Sequence, residues 1–332
     1  MNERTQRIIA ISILIAGTLI LAIRRFTLPH NYPDSLKYAQ YVDIFLGRNT
    51  VTDPIPAPFI FRPLIPLIAS LPSLFVDSIT GLSVTSMAFS VLWVVVFYYI
   101  CLEFLADNRT AFVVSGAALA NPVIWKYAGS PLVDGPAMVF VGVVVLLTLR
   151  EKSPYLITAL VMFGSLAKEL VLFAGLFYLL YRRDLKSTLP LIGGGCITLL
   201  YRYVVTGSIS QPLNLHGIQP WFLLHTGQTL GALVVLALFG LIAVRDFDTV
   251  QRKLTFQFTI IGLLAFVPYM LMGIFLVYYG PRFAWPLQLA LVPLAVIGAK
   301  YILDWFLEKL HLGKVTSGIQ NPISDEESES DK

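Results

Sequence analysis

The chain has 332 residues, of which 56% are hydrophobic and only 13% charged, with a formal net charge of +4. Soluble domains carry roughly a quarter charged residues and less apolar content, so this composition excludes a secreted globular enzyme, a nucleic-acid binder and a cytosolic metabolic enzyme. Apolar runs of about 18 or more residues recur along the whole chain, which reads as an all-α, polytopic transmembrane helical bundle. About nine to eleven membrane segments are expected, short broken helices among them. Cys101 and Cys196 lie in separate apolar stretches and form no CxxC pair. They supply neither a disulfide framework nor a thiol metal site.

The first apolar run, 8–23, follows Arg4 and Arg7 and is closed by Arg24 and Arg25. No small-residue cleavage site follows it, so it reads as a retained anchor. Residues 24–63 are not membrane-like: they hold Pro29, Pro33, Pro54, Pro56, Pro58 and Pro63 with several acids and tyrosines. The apolar piece 64–75 is short and interrupted by Pro66 and Pro72, which predicts an interfacial or re-entrant element. Spans are predicted over 79–102, 110–125, 131–149, 188–205, 221–244, 254–279 and 283–305. Together, 1–306 form an integral membrane domain. Residues 307–332, ending in the acidic run from Ser324 to Lys332, read as a disordered cytoplasmic tail.

The stretch 155–181 decides the topology, because Lys168 and Glu169 sit in its middle. If it crosses once, Arg182, Arg183 and Lys186 land outside, against the positive-inside rule, and every later loop inverts. Two short helices meeting at Lys168-Glu169 keep those cations inside, along with Arg150, Lys152, Arg245, Arg252 and Lys253. Each half is about 12 residues, near 18 Å at 1.5 Å per residue, short for a span but tolerated where a broken helix lines a cavity. Both termini are then cytoplasmic, in a multi-pass protein of the plasma membrane if the cell is prokaryotic.

With this topology the outer face collects charge. Asp34, Asp43, Asp53 and Arg62 lie in or beside the first outer loop, Asp134 begins a span, and Lys168-Glu169 form an outer apex. Arg202 lies near the outer end of its helix and Arg282 at an outer turn. Charges at membrane depth usually face a cavity or a partner. No polar segment is long enough for a Rossmann unit, and no GxGxxG, P-loop, HExxH or GxSxG pattern occurs. Chemistry here therefore needs a substrate delivered by the bilayer, such as a sugar on a lipid phosphate. An acceptor hydroxyl would need a base, for which Asp34 is the candidate. A departing phosphate would need positive charge from Arg62, Lys168 or Arg282, or the free N–H groups of the helix beginning near Lys168. Each residue also has a plainer reading: an Asx-type turn at Asp34, an ion-pair lock at Lys168-Glu169, a helix cap at Asp134, a snorkelling Arg202.

The order Asp34-Ser35-Leu36-Lys37-Tyr38-Ala39, Phe61-Arg62-Pro63-Leu64-Ile65-Pro66-Leu67, Leu166-Ala167-Lys168-Glu169-Leu170, then Arg282 with Pro286 and Pro293 carries a resemblance. The chain resembles the GT-C superfamily of polytopic membrane glycosyltransferases, which take sugars from polyprenyl-phosphate carriers. The resemblance implies a first helix, a long outer loop with the catalytic Asp at Asp34, and substrate binding by Arg62, Lys168, Glu169 and Arg282; Asp134 and Arg202 join the substrate-binding candidates as charges on the same outer face. It implies a polyprenyl-phosphate sugar as donor, a lipid or glycan as acceptor and the bilayer as partner, with no nucleic acid. Asp34 lacks the adjacent acid of many members, so no cofactor is required by the pattern and a divalent cation stays a candidate. Broken helices with ionisable residues also occur in secondary transporters and lipid flippases, and a non-catalytic membrane subunit is a third reading.

Overall fold

The computed structural model describes residues 2–26, 33–48, 55–105, 107–121, 129–207, 221–247, 249–276, 283 and 285–309. Among them the secondary structure is helical throughout: α1 (Glu3–Phe26), α2 (Pro33–Phe45), α3 (Leu64–Ser70), α4 (Ser78–Leu105), α5 (Asn108–Leu119) and α6 (Asp134–Leu149). Then come α7 (Pro154–Ser165), α8 (Leu170–Arg182), α9 (Leu189–Thr206), α10 (Trp221–Ala243), α11 (Thr249–Leu276) and α12 (Leu287–Lys309). Five helical stretches are long and apolar enough to cross a membrane, Glu3–Arg24, Ser78–Phe104, Leu185–Thr206, Gln251–Met272 and Leu287–Lys309. The protein is a helical membrane bundle.

The expected spans recur as helices with shifted ends. The fifth helix stops at Leu119 rather than 125; its start is set by Asp107, whose carboxylate accepts the backbone N–H groups of Arg109 and Thr110. One helix, α2, falls in a stretch read from sequence as loop. Proline and an acid open it, and Tyr38, Tyr41 and Val42 are buried on one side. Its apolar residues come at helical spacing but are too few for a span, which is why a run-length reading passes over it. The interfacial element appears as α3 and a short 3-10 turn, Pro72–Leu74. It leaves Leu67, Leu71, Leu74 and Phe75 exposed, Phe75 at 88%.

The middle segment doubles back. Gly164 lies against Val171, Gly175 against Val161, and Arg182 pairs with Glu151 at 3.4 Å. These pairs move outward from the turn in step, as only an antiparallel hairpin of α7 and α8 allows. Gly164 is required there, since a Cβ would stand 2.8 Å from the Val171 side chain. Cysteines at Glu151 and Arg182, with both native cysteines replaced by alanine, are expected to cross-link with a short bifunctional thiol reagent. A continuous helix would hold them about 45 Å apart, and absence of the cross-link would reject the hairpin.

The bundle therefore has two distinct ends. At one, Arg7 donates to Asn108 at 3.3 Å, Arg150 meets Glu103 at 2.7 Å, and Phe104 packs on Phe258. At the other, Gly129 abuts the Ala22 carbonyl, Arg48 donates to the Ser73 carbonyl at 2.9 Å, and the hairpin turn meets the start of α6. Between them an aromatic core runs through Trp93, Phe97 and Trp285, then Phe177, Phe258 and Phe266.

Candidate functional site

The hairpin turn, 166–169, is closed by N–H groups of Ala167 and Lys168 donating to the Gly164 carbonyl. Adjacent residues there point about 100° apart, so Lys168 and Glu169 find different partners. Lys168 forms a nearly buried ion pair with Asp134 (4% and 5% exposed) and lies 5.3 Å from the centre of the Phe283 ring. Glu169 turns the other way, into a three-residue cluster. Arg62 donates Nε to Glu169 Oε2 at 3.1 Å, with Nη2 3.0 Å from the same oxygen. Arg202 donates Nη2 to the other oxygen, Oε1, at 3.3 Å.

Each arginine is aimed by its surroundings. Arg62 follows a 3-10 turn, Phe59–Phe61, and the chain just beyond is tied to the hairpin by Leu64 N–H donating to the Leu166 carbonyl at 3.3 Å. Its Nη1 donates to the Tyr38 hydroxyl at 2.9 Å. Burial alone would lower the Arg62 pKa, but the Glu169 charge and Tyr38 outweigh it and raise it well above the guanidinium range. Arg202 comes from α9 and stacks its guanidinium 4.8 Å above the Phe61 ring. Its buried Nε has no hydrogen-bond partner among the described residues, an uncompensated donor in a site where every such group is costly. One residue earlier on α9, Tyr201 hydrogen-bonds the Tyr41 hydroxyl of α2, which also donates to the Ile60 carbonyl at 3.2 Å.

Asp34 stands one turn before Tyr38 on the same face of α2. The candidates Asp34, Arg62, Asp134, Lys168, Glu169 and Arg202 thus gather at one end of the bundle. Arg282 and Asp53 lie outside the described residues, as does the acidic tail beyond 309. Two expectations need correction. Arg202 does not snorkel to the surface: it is drawn inward by Glu169 and Phe61. The N–H groups of Val171 and Leu172, early in α8, are taken by the carbonyls of Lys168 and Glu169, so these two are not open to an anion. Asp43, one of the expected outer charges, accepts from the Ser78 hydroxyl and braces α2 on α4.

Sequence reasoning assigned no role to Tyr38, Phe61, Tyr41 or Tyr201. The spacing of Tyr38 four residues after Asp34 was the available signal; the others meet only through the fold. Beside the cluster runs a groove of about 450 Å³, lined by Leu172, Phe173 and Leu176 of α8, Leu191, Gly195 and Leu199 of α9 and Met272 of α11, with Glu169 and Arg202 also in its wall. Among the described residues these two guanidinium groups share one carboxylate, so the trio carries one positive charge in surplus beside an apolar groove. Among the described residues, no three His, Cys, Asp or Glu side chains are grouped to hold a metal ion. No protein-family model and no curated protein matches this sequence.

Proposed function

We propose that this chain is a membrane glycosyltransferase that moves a sugar from a polyprenyl-phosphate carrier to a lipid or glycan acceptor on the non-cytoplasmic face. The observation that carries the reading is the surplus cation of the Arg62–Glu169–Arg202 trio, two members of which line an apolar groove. A lipid phosphate needs both parts of that arrangement: a greasy channel for its chain and a desolvated cation for its headgroup. The opposite end of the bundle carries Arg7, Arg109, Arg150, Arg182 and Arg183, which favours that end as cytoplasmic. Both helical termini of the membrane domain then face the cytoplasm, as does the acidic tail.

In the reaction, the Asp34 carboxylate takes the proton of the acceptor hydroxyl as its oxygen attacks the anomeric carbon. The bond from that carbon to the phosphate oxygen breaks, and the polyprenyl phosphate leaves with one more negative charge. Arg62 and Arg202 stabilise that charge. Arg62 also bonds Tyr38, one turn from Asp34, so base and cations share one rigid frame. Lys168 is occupied by Asp134 and serves as a positioning residue that holds the turn carrying Glu169. A single displacement inverts the anomeric centre.

The test is incubation of the reconstituted protein with labelled polyprenyl-phosphate sugars and membrane extract, with and without a chelator, scoring movement of label. Asp34→Asn is expected to lower transfer by at least about 100-fold while the protein stays folded and lipid-binding. Full activity in that variant would remove Asp34 from the mechanism. The α7–α8 hairpin of broken helices favours a second reading, a lipid flippase. Label that changes leaflet without changing carrier would select it.

A further inference from the structure

A second groove lies at the opposite, basic end, between α8 and α11. Its volume is about 920 Å³, within the size of ligand clefts. Its floor is apolar, from Leu179 and Leu180 on α8 and Phe256, Ile260 and Leu264 on α11. Its mouth carries two cations from different helices, Arg183 and Lys253, and one acid, Asp184. That acid is already engaged, accepting the Ser187 backbone N–H at 2.7 Å. Arg183 ends α8 in the left-handed region at φ 57°, where glycine is usual. Its Nε donates to the Leu180 carbonyl at 3.1 Å, which fixes the side chain against the helix end.

The dimensions match one leaflet. Lys253, Gln257, Ile260 and Leu264 form a stripe along one face of α11. From Lys253 to Leu264 the helix rises about 16 Å, close to half the ~30 Å hydrocarbon core. The cations therefore stand at headgroup level with an apolar slot beneath them. We infer that the α8–α11 groove is a binding site for an anionic phospholipid of that leaflet, its phosphate held between Arg183 and Lys253 and an acyl chain along Phe256, Ile260 and Leu264. Charge complementarity selects this occupant over a neutral lipid, since each cation near a membrane surface favours an anionic headgroup by about fivefold. The site is separate from the transfer cluster and independent of that reading.

The full chain is reconstituted in nanodiscs of phosphatidylcholine with a minor share of phosphatidylglycerol, and the lipids that copurify are measured by native mass spectrometry. Phosphatidylglycerol is expected to be retained at least about fivefold above its bulk share. The double variant Arg183→Gln with Lys253→Gln should fall to the bulk ratio. Arg183→Lys, which keeps the charge, should retain the enrichment, and Ile260→Trp, which fills the slot without altering charge, should reduce it. Lys152→Gln with Arg245→Gln, at the same end but outside the groove, should leave it unchanged. No enrichment in the natural chain, an equal loss in both double variants, or full retention in Arg183→Gln with Lys253→Gln and in Ile260→Trp overturns the site. If the double variant fails to fold, Ile260→Trp decides alone.

Discussion

Glu169→Ala is expected to destabilise the protein by about 3–5 kcal/mol, because it leaves two guanidinium groups facing each other without a counter-charge. Arg62, Glu169 and Arg202 are 16%, 22% and 18% exposed, so solvent screens little of that repulsion. The carboxylate uses one oxygen for each arginine, and among the described residues no other acid is paired with both. Thermal unfolding in detergent, with the elution profile as a check on assembly, reads the effect. Glu169→Gln should fall between the natural chain and the alanine variant, since an amide oxygen still accepts a hydrogen bond but carries no charge. An unchanged midpoint in Glu169→Ala would mean that the arginines are solvated in the membrane protein, and the surplus-cation argument would go with it. The plain ion-pair role and the phosphate role are separable: in Glu169→Gln, a loss of transfer larger than the loss of folded protein marks a role beyond stability.

Gly298→Leu is expected to disrupt the packing of α10 on α12, at a cost of about 3 kcal/mol or more. A Cβ at Gly298 would lie 1.9 Å from the Leu236 carbonyl oxygen, and one at Gly240 would lie 1.9 Å from the Leu294 carbonyl oxygen. Both obstacles are backbone, so no rotamer change relieves them; the helices must separate. The two contacts are reciprocal and one helical turn apart on each helix, which is how small residues let membrane helices approach. Even Gly240→Ala should lower the unfolding midpoint. Gly231→Ala, on the same helix but with nothing among the described residues within 4 Å of its Cβ, should be neutral or slightly stabilising, since alanine favours helix over glycine by about 1 kcal/mol. Equal effects at 231, 240 and 298 would reject the close crossing.

The site was partly legible in the chain. Lys168 and Glu169 stand out because charged residues in an apolar run need an explanation, and the cation clusters after 149 and after 181 demanded a hairpin between them. Arg62 and Arg202 were visible as charges, but their shared attachment to Glu169 was not. They are 107 and 33 residues from it in sequence, and no local pattern encodes such a meeting. The helix bearing Asp34 and Tyr38 went unassigned because run length detects spans and passes over short half-buried helices.

What the amino-acid order determined was the membrane class, the rough bounds of the helices, and the doubling back at Lys168-Glu169, since hydropathy and loop charge are local quantities read against a fixed bilayer thickness. Only the tertiary packing decided that Glu169 joins Arg62 and Arg202 while Lys168 joins Asp134, and that Phe61 and Tyr38 aim the two arginines. Pairing of buried charges is settled by which helices touch. Those neighbours are chosen by shape, through close approaches such as Gly298 on Leu236 and Gly164 on Val171, which no residue signals by itself.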